Sequence, residues 1–287
     1  MSAKQTFTAD TSGRIWADVI CRTGTVNVTV DPTLKNALIT VSTPDTEGPV
    51  ADAVRNTTSR EHVSNGLNVL EVRVPKVPGN TVQMGNSSFN FSGGNMVVSQ
   101  NYGVVTGSMT GMTISNGDVY VGGRKVVENG RVVAEQGTVV GGAGGSGRIT
   151  IDVRVPDLSS VRLDTTSGDL QVLQGDLQVL DVRSVSGDVL AKGVHTLRGN
   201  LTSGEVEVER VEARGDIASV SGDIEIGAYN GSDLRATSVS GDITVSATPA
   251  ATGSFTVSTV SGDVTTRGAE HLSPRVSTVS GRVRPRR

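Results

Sequence analysis

Residues 219–226 read Ser-Val-Ser-Gly-Asp-Ile-Glu-Ile, and residues 238–245 read Ser-Val-Ser-Gly-Asp-Ile-Thr-Val. Related phrases recur over about the last 120 residues, with 17 to 21 residues between successive glycines and a mean of about 19. A fixed period this short is typical of a solenoid, in which each repeat is one supersecondary unit that stacks on the next. The glycines of the seven copies are Gly168, Gly187, Gly204, Gly222, Gly241, Gly262 and Gly281.

Each repeat carries two strand patterns, one on either side of its glycine. After the glycine the apolar residues alternate, as in Ile224 and Ile226, which predicts a short strand with one buried face. Before it, apolar residues stand five and two positions upstream, as in Ile217 and Val220. These offsets differ by an odd number, so one regular strand cannot turn both side chains inward. We expect a bend or bulge that brings both inward; the alternative is that the nearer valine faces outward.

The Ser-Gly-Asp phrase itself predicts a corner of the coil. Stacking at about 4.8 Å places equivalent residues above one another, so the serines predict a ladder of hydroxyls. The glycine suits a backbone with positive φ or a close approach between coils. The acid that follows suits a turn in which a carboxylate accepts local backbone N–H groups. The acids are Asp169, Asp188, Glu205, Asp223, Asp242 and Asp263, with Arg282 in the last copy.

Composition supports an all-β, single-stranded β-solenoid with coils of about 19 residues. Aromatic residues make up only 3% of the chain, which predicts a narrow interior filled by small aliphatic side chains. No apolar stretch approaches the length of a membrane-spanning helix. The best candidate for any helix is the weak run from Pro49 to His62.

The chain divides into three predicted segments. Residues 1–81 form an N-terminal β segment of opening coils, in which Thr23-Gly24-Thr25-Val26 echoes the later phrase. Residues 82–148 form a Gly/Asn/Ser-rich insertion, and residues 149–287 form the repeat solenoid. Within the insertion, Gly122-Gly123 and Asn129-Gly130 lie between strand-like runs and predict β-hairpins.

The insertion also has an unusual charge pattern. Residues 77–117 contain no charged residue, and residues 89–120 hold half of the chain's aromatic side chains. This composition is compatible with a self-association or adhesive surface, but we favour the interpretation that the segment is a mobile or loosely paired excursion from the solenoid. We expect the insertion to be dispensable for folding and to be a site of specific function.

The bulk properties exclude several classes of function. A net charge of −3 gives no indication of nucleic-acid binding. Cys21 is the only cysteine, so no internal disulfide can form, and a reducing compartment is favoured. The first residues lack the apolar core of a secretory signal. These features together predict a cytoplasmic protein.

The chain resembles the bacterial putative-adhesin family, a domain of unknown function. The resemblance rests on Val155-Pro156, on the run Ser159-Ser160-Val161-Arg162, and on the serial Ser-Gly-Asp phrases that follow. It covers residues 1–78 loosely and residues 149–287 closely. It implies a β-solenoid fold and supplies no catalytic residue for any position of this sequence.

No catalytic, cofactor-binding or metal-binding residue is predicted. The acids could attract calcium, but calcium-binding β-rolls need a nine-residue glycine-rich phrase that this sequence lacks. His62, His195 and His271 show no metal-ligand spacing with one another or with Cys21. Residues 214–216 read Arg-Gly-Asp, and we interpret this match to a binding tripeptide as chance at a repeat turn. We interpret the arginines of the C-terminal tail as a solvated end that discourages pairing at the sheet edge.

These observations favour a non-enzymatic β-solenoid scaffold or protein-interaction module. A self-assembling cytoskeletal rod of the bactofilin kind is the first alternative, and a polysaccharide-active β-helix is the second. We expect no enzymatic activity, because the loops are short and no cluster of acidic and basic residues stands outside the turn phrase. We expect the partner to be an unidentified protein or a second copy of the chain, with self-association through the terminal coils or the 82–148 insertion.

Overall fold

Strands make up 71% of the chain and helix 3%, which confirms the predicted all-β class. The computed structural model describes residues 2–77 and 148–286, together with the backbone of the strands that lie between residues 80 and 140. Coils about 19 residues apart repeat for about six turns, so the predicted β-solenoid is also confirmed.

The described elements follow one another along the chain. In order they are β1 (Ala3–Ser12), β2 (Trp16–Val30), β3 (Asn36–Thr43), α1 (Pro49–Arg55), β4 (Thr58–Ser64), β5 (Leu67–Arg73), β6 (Asn80–Met84), β7 (Ser87–Ser92), β8 (Asn95–Gln100), β9 (Met112–Ser115), β10 (Asp118–Val121), β11 (Arg124–Glu128), β12 (Arg131–Val132), β13 (Thr138–Val140), β14 (Thr150–Val155), β15 (Ser160–Ser186), β16 (Val189–Ser203), β17 (Val206–Ser221), β18 (Ile224–Tyr229), β19 (Asp233–Ser240), β20 (Ile243–Ala247), β21 (Ser254–Ser261), β22 (Val264–Arg267), β23 (Arg275–Ser280) and β24 (Val283–Arg286).

The solenoid consists of two parallel ladders that meet at the corner glycines. The leading ladder contains the strand segments before the glycines, in the order β5, β2, β15, β16, β17, β19, β21 and β23. The trailing ladder contains the segments after them, in the order β14, β2, β15, β16, β17, β18, β20, β22 and β24. Strands β2 and β15 to β17 serve both ladders, because each of these long strands contains segments of both. Equivalent residues of successive coils lie in register, as Ile217, Ala236 and Val257 do.

The N-terminal segment joins the stack through β2 and its neighbours. Gly24 pairs with Gly168, so the sequence echo at residue 24 is a true corner of the solenoid. Strand β14, which follows the insertion in sequence, lies between β3 and β2. At this end of the stack, the Glu61 carboxylate of β4 accepts hydrogen bonds from the backbone N–H groups of Asp10 at 2.7 Å and Thr11 at 3.1 Å.

Inward-facing aliphatic side chains form the predicted core. Ile224 and Ile226 are fully buried, and so are their counterparts Ile243 and Val245 in the next coil. The interior also takes larger groups than we expected. Tyr229 and Phe255 are fully buried and meet edge to face, with ring centroids 6.1 Å apart. Because each coil buries only a few side chains, each of these large rings takes the space of several aliphatic groups in the narrow interior.

The predicted bend before the glycines is wrong. Val220 is 50% exposed, whereas Ser219 is buried beside it and Ile217 is fully buried. The segment is therefore a regular strand with alternating faces, and the alternative interpretation of the nearer valine is correct. The core accepts a small hydroxyl residue three positions before the glycine, and the valine at the next position points to solvent.

The chain divides into two compact units. One contains residues 1–5, 42–56 and 75–149, and the other contains residues 6–41, 57–74 and 150–287. In the first unit, α1 begins after Gly48 with Pro49 and buries Val50, Ala51, Ala53 and Val54. The helical run expected from Pro49 to His62 ends at Arg55, and β4 occupies its second half.

The first unit also contains two antiparallel sheets. Their strand orders are β13-β6-β7-β8 and β12-β11-β10-β9. Val121 pairs with Arg124 and Glu128 pairs with Arg131, so the strands that flank Gly122-Gly123 and Asn129-Gly130 in the sequence are antiparallel neighbours. The side chains of the predicted 82–148 insertion lie outside the described residues, so its expected role stays a prediction.

Candidate functional site

The corner glycines adopt a backbone conformation that is unfavourable for any other residue. Gly222 has φ +134°, and Gly241 has φ +150°. A Cβ atom on Gly222 would overlap the carbonyl oxygen of Gly204, the corner glycine of the preceding coil. Both reasons proposed for these glycines, a positive φ and a close approach between coils, are therefore present.

The acids after the glycines link neighbouring coils. The Oδ1 atom of Asp242 accepts a hydrogen bond at 2.7 Å from the backbone N–H of Asp263 in the next coil. Asp188 does the same for Glu205 at 3.0 Å, and Asp263 for Arg282 at 2.8 Å. We expected these carboxylates to bond within their own turn, and that expectation is wrong. Parallel stacking brings the N–H group of the next coil within reach of each carboxylate.

The outer face of the leading ladder carries columns of side chains at fixed distances from the glycines. Because coils lie in register, residues with the same offset stack above one another. The charge column stands six residues before each glycine and consists of Asp18, Arg162, Asp181, Arg198, Asp216, Arg235, Thr256 and Arg275. The valine column stands two residues before and consists of Arg22, Thr166, Val185, Thr202, Val220, Val239, Val260 and Val279.

The charge column alternates acid and base over its first six members. At the end nearest β5, Arg162 lies 3.6 Å from the Asp18 carboxylate and 3.2 Å from that of Asp181. The guanidinium of Arg162 also lies 5.2 Å from the ring centre of Trp16, within cation–π range. Alternation places Arg162, Asp181, Arg198 and Asp216 each between two charges of opposite sign, which limits repulsion along a stack with coils only about 4.8 Å apart.

Burial is greatest at the Asp18 end of the charge column. The side chains of Asp18 and Asp181 are 14% and 7% exposed. Burial raises the pKa of Asp18, and Arg162 opposes that shift. Asp18 Oδ1 and Trp16 Nε1 are buried atoms without a hydrogen bond to any described residue. This end of the column is therefore mainly structural, since its charges are largely enclosed and paired.

The valine column is open to solvent. Its five valines are all at least about half exposed, and Val279 is 83% exposed. The column beside it, four residues before each glycine, carries Ala218, Thr237, Ser258 and Ser277 over the last four coils. The last four coils thus present a strip of two adjacent columns that contains no charge. The neighbouring Asp216 and Arg235 are exposed and border this strip.

The residues weighed for metal binding from sequence are not brought together. Cys21 is buried in the core, where burial raises the pKa of its thiol to about 11. His271 bonds through Nε2 with the Ala251 carbonyl at 2.9 Å, His62 lies on β4, and His195 is exposed on β16. Within residues 2–77 and 148–285, no group of three or more His, Cys, Asp or Glu side chains could hold a metal ion.

The sequence alone did not lead us to predict that Asp216 belongs to an outer surface column. We predicted a repeat turn at the Arg-Gly-Asp tripeptide, whereas Arg214, Gly215 and Asp216 lie within β17 and pair with residues 233–235 of β19. The signal was present at a constant offset of six residues before each glycine, where acid and base alternate. Only the observed register shows that these positions face outward in one column.

Two parallel ladders joined at glycine corners, with long columns of equivalent side chains, define a β-solenoid repeat domain. The chain belongs to the Toastrack DUF4097 family, whose pattern matches residues 19–281. Family membership confirms the resemblance drawn from the sequence. No enzyme family is indicated. None of the curated proteins compared with the chain matches its sequence.

Several solved structures are similar to this chain. A putative adhesin from Bacteroides fragilis NCTC 9343 is 14% identical with a TM-score of 0.45, covering 99% of this chain and 97% of its own. A putative adhesin from Parabacteroides distasonis ATCC 8503 is 9% identical with a TM-score of 0.43 and the same coverages. A putative cell adhesion protein from Clostridium sporogenes ATCC 15579 is 8% identical with a TM-score of 0.38, covering 99% of both chains.

Helix α1 is short, at seven residues. In the described part of the chain, no helix has both the length and the apolar character that crossing a membrane requires.

Proposed function

We propose that this protein is a non-enzymatic β-solenoid scaffold that binds a protein partner through the outer face of its leading ladder. The observation that carries the proposal is the valine column, in which Val220, Val239, Val260 and Val279 are stacked and exposed. An exposed valine is ordinary when it stands alone. A continuous row on a regular sheet is typical of a surface that another molecule covers.

The surroundings of the valine column have the composition of an interface. Small residues such as Ala218 and Thr237 flank it, so the surface is flat enough for a second sheet to approach closely. The charge column borders it on one side, with Asp216 and Arg235 exposed. An apolar strip with a charged rim is the usual arrangement of a protein-binding surface.

The trailing ladder supports a role other than catalysis. The Oδ1 atoms of Asp223, Asp242 and Asp263 each accept a backbone N–H group from the next coil. These bonds give the acids a structural use that a polysaccharide-cleaving groove would not require. Glycoside hydrolysis instead needs a pair of carboxylates that flank the scissile bond and are free to exchange protons with it.

Substitution on the two outer faces tests the proposal. Val239→Glu places a charge in the valine column, and Thr244→Glu places the same charge on the outer face of the trailing ladder. We expect wild type and Thr244→Glu to retain the same proteins from an extract of the native host, and Val239→Glu to lose them. Equal retention by all three forms would show that the leading ladder is not the binding surface.

Negative-stain microscopy separates the scaffold from the self-assembling rod. A rod built by end-to-end stacking would form filaments that persist in Val239→Glu, because that substitution leaves the end coils unchanged. A scaffold that binds through the side of the stack gives discrete particles in both forms.

A further inference from the structure

We infer that the outer face of the leading ladder binds a second copy of this chain, in a two-fold symmetric dimer whose two stacks run in opposite directions. The inference rests on the proposed function, because it uses the same face, and it names the partner. A two-fold dimer requires a surface that complements itself, so the test of any candidate face is how its charges meet when one copy is turned.

The charge column meets that requirement at one placement of the axis. Let the axis run along the strand direction, between the neighbouring strands that carry Asp216 and Arg235. Asp216 then faces Arg235 of the second copy, and Arg235 faces Asp216. One coil further out, Arg198 faces Thr256, and two coils further out, Asp181 faces Arg275. No charge of this column meets another of the same sign over these six coils.

A second column gives the same result independently. Arg214 and Asp233 stand eight residues before their corner glycines and pair in register across β17 and β19. The axis that places Asp216 opposite Arg235 also places Arg214 opposite Asp233 of the second copy. The like-charged acids that follow the glycines lie past the corner, on the trailing ladder. Four exposed charges near the axis thus form two kinds of complementary pair.

The same two-fold rotation places the uncharged strip of one copy against the uncharged strip of the other. Val220 faces Val239 of the second copy, and Val185 faces Val279, because the axis keeps each column opposite its own counterpart. The column of small residues meets itself as well, with Ala218 opposite Thr237. Two flat sheets can therefore approach to about 10 Å with valines interleaved at the centre.

The size of the contact suits a reversible dimer. Six coils at about 4.8 Å and a strand width of about 20 Å give roughly 600 Å² for each copy. The total of about 1,200 Å² lies at the lower limit of specific interfaces. We therefore expect association in the range of about 1–100 µM, well below the affinity of an obligate dimer.

Exchange of charge between copies tests the placement of the axis. Asp216→Arg alone places like charges opposite each other twice in the dimer, and so does Arg235→Asp. We expect each variant to weaken dimerisation at least 10-fold in sedimentation velocity of the full chain. In an equimolar mixture, a copy with Asp216→Arg can pair with a copy with Arg235→Asp. Both contacts of that mixed dimer join opposite charges, so the mixture should dimerise as the wild type does.

Contacts within one chain cannot explain rescue by mixing. Positions 216 and 235 of each variant chain carry like charges both alone and in the mixture, so any repulsion between them is the same in both samples. Unfolding curves will show whether both variants are folded. If either is not, Arg214→Asp with Asp233→Arg provides a second exchange pair. Thr244→Glu is the matched control and should dimerise normally.

Two outcomes overturn the inference. One is a wild-type chain that stays monomeric up to about 1 mM, and the other is a mixture that dimerises no better than its components. If the chain is monomeric but Val239→Glu abolishes the binding of a different protein, the dimer is overturned and the proposed function stands. A dimer that forms equally well in Val239→Glu would overturn the use of this face for dimerisation, and the retention experiment alone would then decide the proposed function.

Discussion

The carboxylate of Asp223 accepts a hydrogen bond at 2.7 Å from the backbone N–H of Asp242, 19 residues later and one coil further along the stack. The same bond recurs from Asp242 to Asp263 and from Asp263 to Arg282. These bonds supplement the backbone bonds of the two ladders at the corners, where the chain changes direction. The acid of the repeat is thus part of the stacking itself.

Removing one of these acids should loosen the stack at a corner. We expect Asp242→Ala to lower the free energy of unfolding by about 1–2 kcal/mol, because one charge-assisted bond is lost at an exposed site. Asp242→Asn should cost less, since an amide oxygen can still accept the N–H of Asp263. Urea unfolding measures both. Equal losses for the two substitutions would show that the bond itself contributes little.

Calcium should not stabilise this solenoid. The acids are already used as acceptors for backbone N–H groups, and Arg284 lies 2.8 Å from the Asp263 carboxylate. We expect the melting temperature to be the same in millimolar calcium and in a chelator. A rise of several degrees with calcium would identify a cation site along the acids.

Ile224 and Val220 lie four residues apart on opposite faces of the coil wall. Ile224→Ala should cost about 2–4 kcal/mol, because it leaves a cavity in a closely packed layer. Val220→Ala should change the stability of the monomer by less than about 0.5 kcal/mol, since the side chain is half exposed. Denaturant unfolding at low protein concentration compares the two, and similar losses would contradict the assignment of faces.

Gly222→Ala should be more damaging than the same change at Gly66. Both glycines have positive φ, but a Cβ atom on Gly66 meets nothing within 4 Å, whereas one on Gly222 meets the Gly204 carbonyl. We expect about 1 kcal/mol at Gly66 from backbone strain, and at least about 2 kcal/mol at Gly222. A smaller loss at Gly222 would mean that the coils separate readily at their corners.

The thiol of Cys21 should make the fold sensitive to alkaline pH. Burial raises the pKa of Cys21 from 9.0 to about 11. A raised pKa favours the neutral thiol in the folded state, so its contribution to stability is complete below about pH 9 and is lost as the pH rises to about 11. Cys21→Ala should therefore show a weaker decline in stability over this range than wild type. Identical declines in urea titrations would place the effect on other groups.

The repeat phrase was sufficient to predict the solenoid, its period and its corners. A recurrence of about 19 residues leaves few arrangements in which short strands can bury one face, and stacked coils are the simplest. The glycines were assigned correctly because a positive φ is a local requirement that only glycine meets easily. Alternation after each glycine likewise predicted the inner residues of the trailing ladder, such as Ile224 and Ile226.

The direction of Val220 could not be decided from the sequence. Two hydrophobic residues at incompatible offsets compete for one face, and the outcome depends on which of them the neighbouring coils enclose. The structure buries Ser219 and leaves Val220 outside, against the usual order of hydrophobicity. The partners of the acids were likewise misassigned, because an N–H group 19 residues away is close only after the coils have stacked.

The sequence by itself therefore determined the architecture, since periodicity, alternation and glycine corners act over a few residues at a time. The tertiary structure alone decided what the surface presents. Asp216 and Arg235 lie 19 residues apart and become neighbours only through the register of β17 and β19. A column of charges or valines exists only once the coils have stacked. The backbone hydrogen bonds of the two ladders set the spacing and register of the coils, and these decide which side chains become neighbours in the column.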